Sequence, residues 1–111
     1  MSRHPKMTSQ QEQAMIETVE EVRGERYHQQ YKWGEQNWPD GTGDELAIVE
    51  AEVAKMRCEL AFKDGKLTYR HILDEEVCEA FAETDPEKIY AELIQVAAVA
   101  VAWAEAIKRR P

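Results

Sequence analysis

Apolar side chains recur at helical spacing along this chain of 111 residues, and no stretch shows the alternation typical of a strand. Ser9-x-x-Glu12 has the pattern of a capping box. A first helix is predicted from there to about Trp33. Its inward face is expected to carry Met15, Val19 and Val22. Residues 1–8 are predicted to be a flexible tail, and residues 9–111 a single domain.

Three further helices are predicted after a loop at residues 34–43, which is dense in Gly, Pro, Asn and Asp. The second helix is expected over residues 44–63, the third over 68–83 and the fourth over 86–109. Apolar residues of the second helix repeat at spacings of three and four: Leu46, Val49, Val53, Met56 and Leu60. The fold class is therefore predicted to be all-α, with four helices.

The fourth predicted helix is the most apolar. From Leu93 to Ala104 its only polar residue is Gln95. A helix that is apolar all round is buried on more than one side, and a four-helix chain has limited bulk for that. We therefore expect a second copy of the chain to complete the bundle. The apolar run is shorter than the roughly 20 residues of a membrane helix, so no membrane is expected as a partner.

The overall charge and the cysteines limit the classes of binding partner and the cellular compartment that we expect. The formal net charge is −8, which leaves no basic field to attract nucleic acid. Nothing resembles a signal peptide, so a cytoplasmic location and free thiols are expected for Cys58 and Cys78. Neither thiol belongs to a Cys-x-x-Cys or Cys/His cluster, which argues against zinc.

Acidic side chains concentrate around the connection between the third and fourth helices. Residues 68–84 hold one Arg and five acids. The sequence Thr84-Asp85-Pro86 reads as a helix stop followed at once by a new start, so the two helices should form an antiparallel hairpin. Positions equidistant from the bend lie at the same height, so Glu79 should face Glu92 and Glu76 should face Gln95.

Three carboxylates and one carboxamide would thus converge on one spot, a plausible cage for a hard cation such as Mg2+. The ordinary reading of Glu-x-x-Glu is a solvated helix face, and the matched height is what favours the metal site. A di-iron site needs Glu-x-x-His on two helices. Here Glu25-x-x-His28 is the only instance, and His28 and His71 are expected to be surface or capping residues.

The first helix changes character toward its end. Continuing its apolar spacing leads to Arg26, Gln29 and Trp33. A face that turns from apolar to polar and aromatic is what the wall of a pocket would look like. A helix end that emerges into water gives the same pattern, and both readings stay open at this point.

The acidic motif resembles the signature of the MazG-like, all-α nucleoside triphosphate pyrophosphohydrolases, which is Glu-Glu-x-x-Glu, a gap, then Glu-x-x-Asp. Glu75, Glu76 and Glu79 match its first part and Glu92 the start of its second, whereas Gln95 stands where the family usually has Asp. Residues 25–37 are similar to members in which an Arg, a Gln and a Trp border the nucleotide pocket. The likeness covers roughly residues 15–109, and small stand-alone proteins of actinobacteria and their phages look most similar.

The resemblance implies a four-helix MazG-like bundle, working as a homodimer or higher homo-oligomer. The implied activity is Mg2+-dependent hydrolysis of a nucleoside triphosphate to a monophosphate and pyrophosphate, with Mn2+ as a possible substitute. Glu75, Glu76 and Glu79 would be catalytic. The implied metal ligands are Glu76, Glu79, Glu92 and Gln95, and the implied substrate-binding residues are Arg26, Gln29, Lys32 and Trp33. The alternative is a non-catalytic MazG-like helical module that binds a nucleotide or a protein partner.

Overall fold

The computed structural model describes residues 6–111, and within that range the chain is helical and has no strand. The prediction of an all-α fold with four helices is thereby confirmed for these residues. Of the predicted tail, residues 1–5 lie outside the described residues, and Thr8 is already the N-cap of the first helix. The helices are α1 (Ser9–Trp33), α2 (Glu45–Lys63), α3 (Tyr69–Ala82) and α4 (Pro86–Lys108).

The capping box of α1 lies one residue earlier than predicted. The Thr8 hydroxyl accepts from the Gln11 backbone N–H at 3.1 Å, and the Gln11 side chain accepts from the Thr8 N–H at 2.8 Å. The predicted box of Ser9 and Glu12 is therefore wrong. The physical reason is that Thr8 has the extended backbone that an N-cap requires, while Ser9 is already helical.

Side chains also fix the starts of α2 and α3. Asp44 accepts from the Ala47 N–H at 2.7 Å and so begins α2. Thr68 accepts from the His71 N–H at 3.3 Å, while His71 Nδ1 accepts from the Thr68 N–H at 3.1 Å. The prediction that His71 is a capping residue is therefore confirmed.

The described residues form two compact units, and α4 contributes to both. The terminal unit comprises residues 6–38 and 101–111, and the central unit comprises residues 39–100. In the terminal unit, Ala14, Thr18 and Glu105 are buried, and Lys108 Nζ lies 2.8 Å from Glu17 Oε2. In the central unit, α2 packs on α3, and Ala54, Ala80 and Ile89 are buried.

Large apolar side chains remain exposed in the single chain. Val19 and Val22, expected on the inward face of α1, are 48% and 49% exposed, so that expectation is wrong for the isolated chain. The buried positions of α1 are the smaller Ala14 and Thr18. The apolar stripe of α2, defined as Leu46, Val49, Val53, Met56 and Leu60, is also exposed along its length.

The helix α4 is also largely uncovered in the single chain. Leu93 and Ile94 are each about half exposed. By length and composition alone, α4 could cross a membrane, and only 6% of its apolar stretch is buried. Core helices of soluble proteins meet the same criteria. The cytoplasmic, membrane-free location therefore stays a prediction.

A glycine ties the loop before α2 to the end of α3. The Gly43 N–H donates to the Phe81 carbonyl at 2.8 Å, and Gly43 has a φ of +88°. A Cβ at this position would collide with Cγ2 of Thr84. The contact therefore requires both the left-handed backbone and the missing side chain of glycine.

We expect Gly43→Ala to destabilise the protein by more than the roughly 1–2 kcal/mol that a left-handed alanine costs, because the new methyl group also meets Thr84. Gly41→Ala is the matched control, since Gly41 has a φ of +69° but nothing within 4 Å of its added Cβ. Urea unfolding would compare the two free energies. Equal losses would contradict the close approach, and Thr84→Ser, which removes Cγ2, should partly restore Gly43→Ala.

Candidate metal centre

The connection between α3 and α4 is short and hydrogen-bonded throughout. One carboxylate oxygen of Glu83 accepts from the N–H groups of Thr84 and Asp85 at 3.0 and 3.3 Å. The Asp85 side chain then accepts from the Glu87 N–H at 3.1 Å, and its carbonyl accepts from the Ile89 N–H at 2.8 Å. Asp85 therefore caps α4, as the sequence indicated, and α4 begins directly after the end of α3.

This hairpin brings three of the predicted ligands together. One carboxylate oxygen each from Glu76, Glu79 and Glu92 lies within 4.8 Å of the other two. The first two project from one face of α3 and the third from α4, and all three side chains are half-buried. The fourth predicted ligand, Gln95, is exposed on α4.

The convergence of like charges changes the acidity of the cluster. Burial, followed by the charges of Glu76, Glu92 and Glu75, raises the pKa of Glu79 to about 7. Burial also raises the pKa of Glu76, with further contributions from Glu92 and Glu75. Near neutral pH the cluster therefore retains a proton for part of the time. A bound cation would lower these pKa values again, because it would stabilise the ionised form of every carboxylate around it.

The donor set fits a small hard cation. Mg2+ prefers oxygen ligands and is usually held by one or two carboxylates together with water and substrate phosphates. Three half-buried carboxylates supply such oxygens, and burial together with the neighbouring carboxylates raises the pKa values of Glu76 and Glu79. Among the described residues, this is the one group of acidic, His or Cys side chains that lie close enough together to hold a metal ion.

Glu75 lies beside the cluster rather than within it. The Cys58 thiol donates a hydrogen bond to Glu75, and this bond is the main reason why the pKa of Cys58 is raised to about 11. Cys58 lies five residues before the end of α2, and Glu75 lies six residues after the start of α3. Cys58 was expected only to be a free thiol, and this contact was not predicted, although the nearly equal distances of the two residues from the turn between α2 and α3 were a usable signal.

The predicted substrate-binding residues all belong to the terminal unit, whereas the acidic cluster belongs to the central unit. Arg26 Nη1 donates to Gln29 Oε1 at 2.8 Å, and both residues line a surface cavity of about 320 Å3. Lys32 Nζ lies 4.9 Å from the centroid of the Trp33 ring, which is 62% exposed. The pair formed by Arg26 and Gln29 thus has the position expected of a pocket wall, while Trp33 presents its ring to solvent.

Comparison with known proteins gives no independent assignment: no protein-family model, no curated protein and no solved structure matches this chain. The MazG-like resemblance therefore rests on the motif residues alone.

The cluster predicts an unusual pH dependence in the presence of a chelator. Glu79 has a native pKa of about 7 against an ordinary value of 4.5, so the folded protein binds its proton more tightly than the unfolded chain. The resulting stabilisation is complete below about pH 4.5 and is lost as the pH rises through about 7. Urea unfolding between pH 5 and pH 8 should show this loss, and Glu79→Gln should reduce it.

Glu52→Gln is the control for this experiment. Glu52 is an exposed glutamate of α2, and its removal changes the net charge by the same amount. This variant should keep the pH dependence of the unmodified protein. If Glu79→Gln also keeps that dependence unchanged, the three carboxylates do not interact as described.

Proposed function

We propose that this protein is an Mg2+-dependent nucleoside triphosphate pyrophosphohydrolase of the MazG-like kind. The observation that carries the proposal is the convergence of Glu76, Glu79 and Glu92 within 4.8 Å on a helical hairpin. In the proposed reaction, water hydrolyses the α–β phosphoanhydride bond of an NTP or dNTP, which releases a monophosphate and pyrophosphate. This activity would explain both the acidic cluster and the family resemblance, because the same glutamates form the cluster and match the motif.

Electrostatics explain why such a site needs a cation. The central unit holds fifteen acidic and six basic residues, a net charge of −9. A triphosphate is itself anionic and would be repelled by the acidic face of α3. When bound between them, Mg2+ neutralises phosphate charge and lowers the pKa of a coordinated water.

The residues of the hairpin then have distinct roles. Glu76, Glu79 and Glu92 would hold the cation, with the amide oxygen of Gln95 as a neutral fourth ligand. Glu75 is the candidate for accepting the proton of the attacking water, because it lies beside the cluster and has a fixed partner in Cys58. The hydrogen bond from Cys58 would hold this carboxylate in place while the other three are engaged.

The four residues that the resemblance assigns to substrate binding carry groups suited to a nucleotide. Arg26 and Lys32 carry the positive charges that phosphates require, and the exposed Trp33 ring can stack on a base. Gln29 offers an amide for the edge of the base. Within the chain these side chains interact in two pairs. Arg26 donates a hydrogen bond to Gln29, and the Lys32 ammonium lies over the Trp33 ring.

The exposed apolar side chains support a homodimer. Half-exposed Leu93 and Ile94 on α4, together with exposed Leu46, Met56 and Leu60 on α2, leave more apolar surface in water than a soluble monomer ordinarily does. A second copy that packs against these helices would complete the four-helix bundle. The same burial would raise the stability of the hairpin that carries the glutamates.

The activity is tested by pyrophosphate release from a panel of NTPs and dNTPs. We expect release with Mg2+, none with a chelator, and a loss of at least 100-fold in Glu79→Ala, since removing a metal ligand typically removes most of the activity that depends on the metal. Glu52→Gln should retain full activity. A folded protein that releases no pyrophosphate from any of these nucleotides would overturn the proposal.

Three further variants separate the possible outcomes. Trp33→Ala and Lys32→Ala should raise KM, because both residues are assigned to binding rather than to chemistry. Gln95→Asp restores the charge that the MazG-like signature usually carries. If release appears only in Gln95→Asp, the unmodified chain is the non-catalytic module, and Gln95 is the residue that removed the activity.

The dimer is tested by sedimentation equilibrium. The chain has a mass of 12.8 kDa, so the proposal expects a species of twice that mass at micromolar concentration. Replacing Leu93 and Ile94 by Ser should shift the equilibrium toward the monomer, while Glu87→Gln on the exposed first turn of α4 should not. A monomer at all concentrations would contradict this part of the proposal.

A further inference from the structure

A second candidate binding site lies on the other side of α3, between α2 and α3 in the central unit. A cavity of about 390 Å3 is lined by Ala54, Arg57, Arg70, His71 and Asp74. It shares Ala54, Arg57 and Asp74 with an adjoining cavity of about 340 Å3, whose further lining consists of Val49, Glu50, Val53 and Cys78. The two form one groove with a basic end and a more apolar end, which also carries the Glu50 carboxylate. Each cavity alone is within the range of small-molecule sites.

The basic end presents more hydrogen-bond donors than acceptors. Arg57 comes from α2 and Arg70 from the first turn of α3, and each guanidinium offers five N–H donors. Because His71 Nδ1 accepts from the Thr68 N–H, the neutral imidazole carries its proton on Nε2 and adds another donor. Asp74 is the acidic residue in the lining of this end, and it accepts from the Cys78 thiol at 3.8 Å.

The two arginines lack counter-ions within the chain. Among residues 6–111, neither guanidinium lies within 4.0 Å of a carboxylate. This is unexpected in a unit of net charge −9, where acidic partners outnumber basic ones by more than two to one. The positive end of the α3 helix dipole lies at the same place, since Arg70 and His71 are the second and third residues of α3.

We propose that this groove binds a small organic phosphate, with the phosphate group between Arg57 and Arg70 and the organic part toward Val49 and Val53. Two guanidinium groups from different helices match the geometry of a tetrahedral oxyanion, since each can donate two parallel N–H groups. The site is distinct from the acidic cluster. Asp74 and Cys78 share one face of α3, whereas Glu76 and Glu79 share another.

The binding requires no metal, which separates this proposal from the hydrolase. Calorimetric titration with phenyl phosphate in the presence of EDTA should show saturable binding. Phenyl phosphate should bind more tightly than inorganic phosphate, because its ring can occupy the apolar end. The variant Glu79→Gln should bind phenyl phosphate as the unmodified protein does, whatever its effect on pyrophosphate release.

Matched variants test the residues. The double substitution of Arg57→Gln and Arg70→Gln should weaken phenyl phosphate binding at least tenfold. The double substitution of Lys55→Gln and Lys63→Gln removes the same charge from exposed positions of α2 outside the groove, and should change the affinity less than twofold. Asp74→Asn should strengthen binding several-fold, a gain that loss of folding cannot produce.

Three results would overturn the assignment. The first is the absence of saturable binding by the folded protein. The second is an equal loss of affinity in the arginine and lysine double variants, which would indicate attraction by overall charge alone. A change of subunit number in the arginine variant with unchanged affinity would likewise reassign the two arginines to an interface.

Discussion

The repulsion among three half-buried carboxylates is the constraint around which the central unit is built. Unit charges about 4 Å apart repel by several kcal/mol at the effective dielectric of a protein surface, so separated side chains would be favoured unless the backbone prevents it. Here the hydrogen-bonded connection at Glu83 and Asp85 holds α4 against α3. Small or apolar residues, Ala80 and Ile89, are buried in the same hairpin. The geometry of the hairpin thus brings the three carboxylates together despite their mutual repulsion.

Local signals explain why the helices could be predicted from sequence. Asp44, Thr68 and Asp85 each satisfy backbone N–H groups a few residues ahead, so the start of each helix is encoded where it occurs. The start of α1 was misplaced by one residue because Thr8 with Gln11 and Ser9 with Glu12 both have capping-box patterns. Only the extended backbone of Thr8 decides between them, and a sequence pattern does not contain that angle.

The candidate site was predictable to the extent that it depends on one hairpin. Glu79 and Glu92 meet because residues at equal distances from a tight bend lie at equal heights in the hairpin, and these distances can be counted in the sequence. The contact between Cys58 and Glu75 depends instead on how far α2 is rotated against α3, and that rotation follows from the packing of these two helices around Ala54. The prediction of which α1 residues are buried was wrong for a related reason. The spacing of Val19 and Val22 reports an apolar face, but it does not tell which surface covers that face.

Helical periodicity also allows α3, which has 14 residues, to carry acidic side chains on one face and a basic side chain on another. One face carries Glu76 and Glu79, whose pKa values are raised by burial and by the neighbouring carboxylates. The face toward α2 begins with Arg70 and lies opposite Arg57, two positive charges without carboxylate partners in the described chain. These groups would neutralise one another if they could meet, and the rigid helix keeps them apart. The proposed cation site and the proposed phosphate site would satisfy these two kinds of charge from outside the chain, on different faces of α3.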